Sequence, residues 1–315
     1  MGRFLTAFCA TLVLGGTLAR ANNPFQPAAH IDGEQFKLPW DGPGAATLNP
    51  ALLAGTRVFD ARTAFYFAIA GKSGSDFYQA SARVFAGLSA GVAASLQTGI
   101  ILEESDIIFE KSTYTPMIAY RLDSLAGSGF TLDLGAALPR HAWVTFGTVK
   151  SSAYSLDLGA RLLWPNLGRA GRFRTALGVR NLFAGDIGLP PDFRVGYGGL
   201  RPNYDLSVLW SGLAGYVDLY SEFNLHEQPE KKVVDFDEGV PFVKSLGMEL
   251  HPISMLGVKV ERTWLETWTA GLDLSIPIRK VFVIGAELDL SHDLFFTAHD
   301  QGRGFMWSLA LNAGM

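Results

Sequence analysis

The sequence predicts an all-β protein: an antiparallel transmembrane β-barrel of about 14 strands, within a range of roughly 12 to 16, preceded by a short N-terminal hatch-like segment. Short runs alternate between apolar and polar residues with a period of two. No run after residue 21 is long and apolar enough for a transmembrane helix. Because lipid cannot satisfy the edge amides of an open sheet, a closed barrel is the spanning structure that remains.

The alternation is clearest between residues 153 and 200, where successive side chains of a strand would point to opposite faces. Glycine and isolated charges on the polar face suit a crowded, wet lumen, and the apolar face suits lipid. The first run sets Tyr154, Leu156, Leu158, Ala160, Leu162 and Trp164 against Ser155, Asp157, Gly159 and Arg161. The second sets Phe173, Leu177 and Val179 against Arg174, Ala176, Gly178 and Arg180. The third sets Phe193, Val195 and Tyr197 against Arg194, Gly196 and Gly198.

The runs from residue 57 to residue 315 give sixteen candidate strands when they are counted one by one, among them 130–138, 142–149 and 154–164. Short hairpins are easily over-split, so we expect about fourteen strands and an even number. The longer polar connections are 103–112, 226–240 and 291–303. Each follows an odd-numbered strand, so all three would be extracellular if the N-terminus lies in the periplasm.

The first 21 residues have the pattern of a cleaved signal peptide. Arg3 supplies the positive region, residues 4–18 form a short apolar core, and residues 19–21 (Ala-Arg-Ala) form the cleavage site. Removal of this peptide takes away Cys9, the one cysteine, and changes the formal net charge from -4 to -6. The mature chain therefore offers no thiolate ligand or disulfide, and its charge gives no reason to expect nucleic acid as a partner.

Residues 22–56 differ from the rest because proline is frequent and the apolar residues have no period. We expect a separate hatch or plug segment here, followed by the barrel over residues 57–315. Phe36, Leu38 and Trp40 are candidates for contact with an apolar ligand, and packing against the inner wall is an equal alternative. The segment ends in GAATLNPALLAG, residues 44–55, which contains the turn residues Asn49 and Pro50.

Two parts of the chain resemble the FadL superfamily of outer-membrane barrels. The first is the small-residue run followed by Asn49, Pro50 and Ala51 at the entrance to the barrel, although the usual Met-Gly-Gly-Ala run is missing. The second is the succession LDLGARLLW, LGVRNL (with Arg180 and Asn181) and LPPDFRVGYG, which is similar to the PorV-like branch. The resemblance implies a bacterial outer-membrane location and a hatch in the lumen.

The resemblance implies two functions. The first is uptake or passage of a hydrophobic small molecule, and the alternative is a PorV-like adaptor that binds exported or periplasmic proteins or a secretion machine. A general porin is disfavoured because both signs of charge occur inside. That mixture favours a lumen ion-pair network over a selectivity filter. The network would include Asp157, Arg161, Arg174, Arg180, Arg194, Asp273 and Glu287, together with Asp133, Asp218, Glu222, Lys259, Glu261 and Asp289.

The sequence shows no catalytic, metal or cofactor motif. The six histidines are dispersed, no H-E-x-x-H occurs, and no strand places Ser and His on one face two residues apart. We therefore expect a protein that is not an enzyme, with membrane lipid as its constant partner. Trp and Tyr residues near strand ends are expected in the interfacial girdles rather than in ligand stacking; they are Trp143, Trp164, Trp210, Trp264, Trp268, Trp307, Tyr120, Tyr154 and Tyr204.

Overall fold

A computed structural model of the chain describes residues 45–56, 58–68, 74–100, 108–122, 129–145, 149–183, 202–225, 242–253, 255–263, 267–278, 282–293 and 303–313. Helical structure in these ranges is limited to α1 (Ala45–Leu48) and to 3-10 turns at Pro50–Gly55, Gly168–Ala170 and Leu213–Gly215. None of the helices in these ranges has the length and apolar character needed to span a membrane.

The rest of the regular structure in these ranges is β-strand. The strands are β1 (Phe59–Ala68), β2 (Gly74–Phe85), β3 (Leu88–Ile100), β4 (Ile108–Leu122), β5 (Thr131–Ala137), β6 (Arg140–Thr145), β7 (Val149–Tyr154), β8 (Asp157–Leu163), β9 (Arg172–Arg180), β10 (Asn203–Gly212), β11 (Val217–Asn224), β12 (Phe242–Ile253), β13 (Leu256–Thr263), β14 (Thr267–Ile278), β15 (Phe282–Asp293) and β16 (Arg303–Ala313).

The strand pairings run in a circuit, and each of them is antiparallel. β1 pairs with β2 on one side and with β16 on the other. The order continues from β16 back through β8 and β5 to β4, and β4 pairs with β3. The ladder therefore returns to the strand at which it begins, which is how a barrel satisfies its backbone in lipid. The predicted antiparallel barrel is confirmed.

Two pairs of segments are halves of single wall strands. β5 and β6 both pair with β4 in one uninterrupted register, which sets Ala137 opposite Met117 and Arg140 opposite Tyr114. β8 and β7 pair with β5 and β6 in the same continuous way. Counting each pair once gives fourteen wall strands within the described ranges, which is the number that was predicted. The prediction of two separate strands at 130–138 and 142–149 is wrong, because residues 131–137 and 140–145 belong to one wall strand and Val149 begins the neighbouring one.

A crease separates the halves, and we define it by Pro116, Pro139, Ser155 and Asn181. Proline has no N–H, so Pro116 and Pro139 each remove a donor from the ladder. Their carbonyl oxygens still accept bonds, from the Leu138 N–H at 3.1 Å and the Ser155 N–H at 3.0 Å. On the next wall strand, β9 ends just before Asn181, whose φ of 55° lies in the left-handed region. The crease thus crosses four neighbouring wall strands.

The outer face of the wall is apolar and the inner face is polar or small, as the alternation predicts. Along β7 and β8, Tyr154 is 64% exposed on the outer face, whereas Asp157 and Arg161 are buried on the inner face. Leu134 is exposed on the outer face of β5, next to the fully buried Asp133. This sorting is the reverse of a soluble protein with an apolar core, and lipid is the solvent that stabilises it.

The exposed apolar surface forms a band bounded by aromatic residues. At one end of β5 and β8, the rings of Phe130 and Trp164 make an edge contact with centroids 5.5 Å apart. At the other end, Tyr114, Arg140 and Tyr154 lie opposite one another on adjacent strands. The stretch from residue 130 to residue 140 matches the roughly 9–11 residues that a tilted strand needs to cross the hydrocarbon layer. The two aromatic levels therefore mark the two membrane interfaces.

The two ends of the barrel differ in their connections. Short turns join β2 to β3, β10 to β11 and β12 to β13 at the end where β1 begins, which we call the short-turn end, and residues 123–130 and 164–171 also connect strands there. The strands joined by residues 101–107, 226–241 and 294–302 meet at the opposite end, which we call the long-loop end. These are the three long connections predicted from the sequence, except that the strand β4 already begins at Ile108.

An arginine on the outer face should destabilise the barrel in proportion to its depth in the membrane. We expect Leu134→Arg, near the middle of the apolar band, to lower the free energy of unfolding by about 2–4 kcal/mol, because the charge would face hydrocarbon. Ser112→Arg, on the same face beyond the Tyr114 level, should cost only about 0–1 kcal/mol. Urea unfolding in lipid vesicles measures both, and equal losses would contradict the placement of the band.

Candidate functional site in the barrel lumen

Residues 45–56, which we call the inner segment, lie inside the barrel. The Asn49 side-chain oxygen accepts a bond from the Ala51 N–H at 3.1 Å, so Asn49 caps the 3-10 turn that begins at Pro50. Asparagine is preferred at a cap because its side-chain oxygen accepts an N–H group that the turn itself leaves unpaired. Proline is preferred at the first helical position because it has no N–H group that needs a partner. Asn49 and Pro50, two of the five predicted ligand or hatch residues, are buried here.

The inner segment rests on a row of three glycines that lie opposite one another on β5, β8 and β9: Gly135, Gly159 and Gly178. A methyl group on Gly135 would lie 2.3 Å from the Ala51 nitrogen, and one on Gly159 would lie 2.0 Å from the Asn49 side-chain oxygen. The backbone of the segment therefore approaches the wall to a distance that only glycine permits. This explains why glycine occupies the inner face at Gly135 and Gly159, whereas at Gly178 a methyl group would lie 3.2 Å from the Leu48 carbonyl oxygen.

Apolar side chains hold the inner segment on two sides of the lumen. Leu53 packs with Ala46 and Ala54 against apolar inner-face residues of β3, β4 and β5. Leu52 packs in another group with Leu209 and Tyr220, on β10 and β11. The segment therefore bridges the lumen. The wall residues of the first group are Ala93, Met117, Ala119 and Ala137, and Ala176 completes the second.

A buried ion-pair row lies next to the glycine row. Asp133 on β5 is fully buried, with Arg121 of β4 and Arg161 of β8 directly opposite it on either side. The Arg121 Nε donates to one carboxylate oxygen at 2.8 Å, and the Arg161 Nε donates to the other at 2.8 Å. A buried carboxylate is tolerated only when it is paired in this way. The row fixes the register of three strands beneath the inner segment.

A second group secures the irregular end of β9. One carboxylate oxygen of Asp157 accepts the backbone N–H of Asn181 at 2.7 Å. Arg180 donates to Asp205 of β10 at 2.9 Å. Asp157 therefore replaces a ladder partner at the position where the crease interrupts the strand.

Further predicted lumen residues lie at other positions of the wall or outside the described residues. Arg174 is half-buried on the inner-face parity of β9. Asp273 and Glu287 lie opposite each other on β14 and β15. Arg194 lies outside the described residues, as do the predicted ligand contacts Phe36, Leu38 and Trp40.

Tyrosine covers a glycine on the far side of the lumen. Tyr220 lies opposite Gly247, and a methyl group on that glycine would lie 2.1 Å from the tyrosine ring. The ring therefore lies over the glycine, and its hydroxyl reaches Glu261 of the next strand at 3.4 Å. The spacing in the sequence gives no sign of this arrangement, because each contact depends on the strand register.

Asp218, Glu249 and His251 meet near the short-turn end, with one potential ligand atom from each within 4.8 Å of the others. The ring nitrogens of His251 already face both carboxylates, Nε2 at 3.2 Å from Asp218 and Nδ1 at 3.8 Å from Glu249. Lys259, also buried, lies opposite Glu249. Basic side chains of the chain thus face both carboxylates, and we interpret the group as part of the ion-pair network.

His141 lies at the inner side of the crease. Its Nε2 is 3.2 Å from the Ser155 hydroxyl oxygen and its Nδ1 is 3.3 Å from the Thr113 hydroxyl oxygen. The serine and the histidine lie on neighbouring wall strands, so their proximity cannot be recognised from the sequence of a single strand. Ser155 is buried, and a threonine stands where a catalytic triad has a carboxylate. The contacts therefore support a structural role across the crease.

The fold is similar to that of solved outer-membrane barrels. The P. putida toluene transporter TodX is 9% identical, with 88% of this chain and 95% of that chain covered and a TM-score of 0.51. A Pseudomonas aeruginosa FadL homologue is 10% identical, with 95% and 99% covered and a TM-score of 0.48. The Escherichia coli outer membrane phospholipase A is 11% identical, with 84% and 96% covered and a TM-score of 0.36.

These comparisons bear on the fold. The similarity to TodX, at 9% identity, confirms the outer-membrane barrel fold that the FadL resemblance implies, whereas the PorV-like branch stays a prediction. No family model matches the sequence, and no curated protein matches it either.

The glycine row should respond to alanine in a graded way. We expect Gly135→Ala and Gly159→Ala each to destabilise the protein by about 1–3 kcal/mol, because the new methyl group displaces Pro50 or Asn49. Gly178→Ala is the matched control in the same row, since its methyl group would lie 3.2 Å from the Leu48 carbonyl oxygen. Hydrogen exchange of the amides of residues 51–56 measures release of the segment. Similar exchange rates in all three variants would contradict the close contact of the inner segment with Gly135 and Gly159.

Loss of the central carboxylate should destabilise the barrel strongly. We expect Asp133→Asn to lower the free energy of unfolding by about 3–5 kcal/mol, because Arg121 and Arg161 would lose their shared counter-ion. Asp205→Asn, with Arg180 as its cationic partner, should cost less. Urea midpoints in detergent compare the two variants, and an equal or smaller loss for Asp133→Asn would show that the row does not hold the wall.

Proposed function

We propose that the protein is a non-enzymatic outer-membrane transporter that passes a hydrophobic small molecule. In this proposal residues 1–21 are removed on export, residues 22–56 form the hatch, and the rest forms the barrel. The name of TodX supports the solute class, since that protein is a toluene transporter with the same fold. The outward apolar band supports the membrane location.

The observation that carries the proposal is the inner segment bridging the lumen. A porin for hydrophilic solutes conducts through an open, water-filled lumen. Here Leu53 packs on one side of the lumen and Leu52 packs on another, so a peptide with apolar contacts fills part of the path. A hydrophobic solute could replace such contacts without losing hydrogen bonds, whereas a hydrophilic solute could not.

The proposal assigns separate roles to the two parts of the hatch. The glycine row anchors residues 49–51, so these residues hold the position of the segment. Phe36, Leu38 and Trp40 precede the anchor in the chain and supply the apolar side chains for the solute. The solute then leaves past the hatch or through the wall at the crease, where Pro116 and Pro139 have already removed ladder donors.

The adaptor role implied by the PorV-like resemblance is not proposed. It would require a surface that recognises a protein, and no observation within the described residues favours one. Binding of an exported protein by a barrel that binds no hydrophobic solute would instead support the adaptor role.

Binding of an amphiphile tests the proposal. We expect the purified barrel to bind a long-chain fatty acid saturably, and Trp40→Ala to weaken this binding by about 1–2 kcal/mol or more, because a buried aromatic contact is lost. Trp164→Ala is the matched control, since this tryptophan is exposed on the outer face. Isothermal titration in detergent measures both. Absence of saturable binding by the unmodified barrel would refute the transport proposal.

A further inference from the structure

Arg140 is a charged side chain on the face of the wall that lipid covers. It is exposed and follows the outward parity of Leu134 and Leu138 on the same wall strand. Tyr114 and Tyr154 lie directly opposite it on the two neighbouring strands. Both tyrosines are more than half exposed, at 52% and 64%. The three side chains form one row across the outside of the barrel, which we call the Arg140 row.

The charge of Arg140 is not neutralised by the part of the chain that the structure describes. No ion pair or hydrogen bond joins the Arg140 guanidinium to another described side chain. Arg121, Arg161 and Arg180, in contrast, are each paired with a carboxylate on the inner face. An unpaired guanidinium on a lipid-facing wall is costly at the bilayer centre and acceptable only near the headgroups.

The Arg140 row lies at the headgroup level. On the side toward the short-turn end, the outer face continues with Pro116, Leu138 and Ile118, which acyl chains can cover. On the side toward the long-loop end it continues with Ser112 and Ser152, which are exposed and polar. Tyrosine rings prefer this boundary because their hydroxyl groups reach water and their rings remain in hydrocarbon. The arginine is therefore placed where lipid phosphates lie.

We propose that the Arg140 row binds the phosphate group of an anionic lipid in the leaflet at the long-loop end. The planar guanidinium can donate two parallel N–H bonds to phosphate oxygens. The hydroxyl groups of Tyr114 and Tyr154 can donate to the same phosphate from either side, and Leu138 and Ile118 contact the acyl chains. With the N-terminus in the periplasm, this leaflet is the outer one, whose phosphorylated lipid is lipid A.

The proposal depends on the barrel and its membrane band and is independent of the transported solute. A lipid is favoured over a free anion because the row continues directly into an exposed apolar surface. A soluble phosphate would use the charge of Arg140 but would leave that surface uncovered. The two sources therefore differ in whether an acyl chain strengthens the binding.

Native mass spectrometry of the full chain in detergent tests the proposal, with diphosphorylated lipid A as the probe. We expect one lipid to bind more tightly than the rest, and Arg140→Gln to weaken that affinity about tenfold, the scale of one charge-assisted contact. Arg140→Lys should retain part of the affinity, because it keeps the charge and loses the paired N–H geometry. Tyr114→Phe and Tyr154→Phe should each weaken it by about two- to fivefold.

The matched control is Arg172→Gln, which removes an exposed arginine at the short-turn end and should leave the lipid affinity unchanged. Retention of the compact, heat-modifiable form on gels verifies that each variant is folded. Three results would overturn the proposal: equal affinity of the Arg140→Gln variant and the unmodified chain, equal binding of dephosphorylated lipid A, or complete competition by millimolar inorganic phosphate. The last result would identify a site for free anions.

Discussion

The return of the strand ladder from β16 to β1 is the constraint on which the rest of the structure depends. In hydrocarbon a free strand edge would leave a row of N–H and C=O groups without partners, so the wall has to close on itself. Closure turns one set of side chains toward lipid and the other toward a narrow lumen. The apolar outer face and the polar or small inner face are consequences of this geometry, because each strand has only these two faces to distribute its residues between.

Inside the lumen, the inner segment needs room for close backbone contact, and the buried charges of the wall need partners. The inner segment needs backbone contact with the wall, and the absence of side chains at Gly135 and Gly159 provides it. The adjoining row carries Asp133 between two arginines, where the carboxylate is satisfied by N–H donors at 2.8 Å. Hydrophobic packing alone could not define the register of a wall whose inner face is polar. Cross-strand ion pairs specify it instead, since a slip of one residue would move each charge to the lipid face.

The sequence was sufficient to predict properties that repeat along each strand. The alternation through Asp157, Gly159 and Arg161 predicted the faces of β8, and merging over-split runs predicted the fourteen wall strands. The Asn-Pro pair at residues 49 and 50 predicted a turn before the barrel. In the structure this turn lies against the glycine row. These successes share a cause, because each depends on residues that are close in the chain.

Properties that depend on register were not predictable in the same way. The contact of His141 with Ser155, and that of Tyr220 with Gly247, require a knowledge of which residues lie opposite each other. The sequence separates the candidate strands 130–138 and 142–149, and a proline such as Pro139 is equally compatible with a turn and with an interruption within one strand. Only the pairing of both halves with β4 distinguishes the two.

The crease and the inner segment are related by their position in the wall. Ala137, which precedes the crease, packs in the same apolar group as Leu53 of the inner segment. Asp157, which follows the crease on the neighbouring wall strand, holds the N–H of Asn181 where the ladder ends. A wall strand with fewer backbone hydrogen bonds is easier to displace than an intact one, and here the packing of the segment supports the strand next to the break. Movement of the inner segment would therefore be coupled first to this part of the barrel, whereas the uninterrupted pairings of β14, β15 and β16 would remain in place.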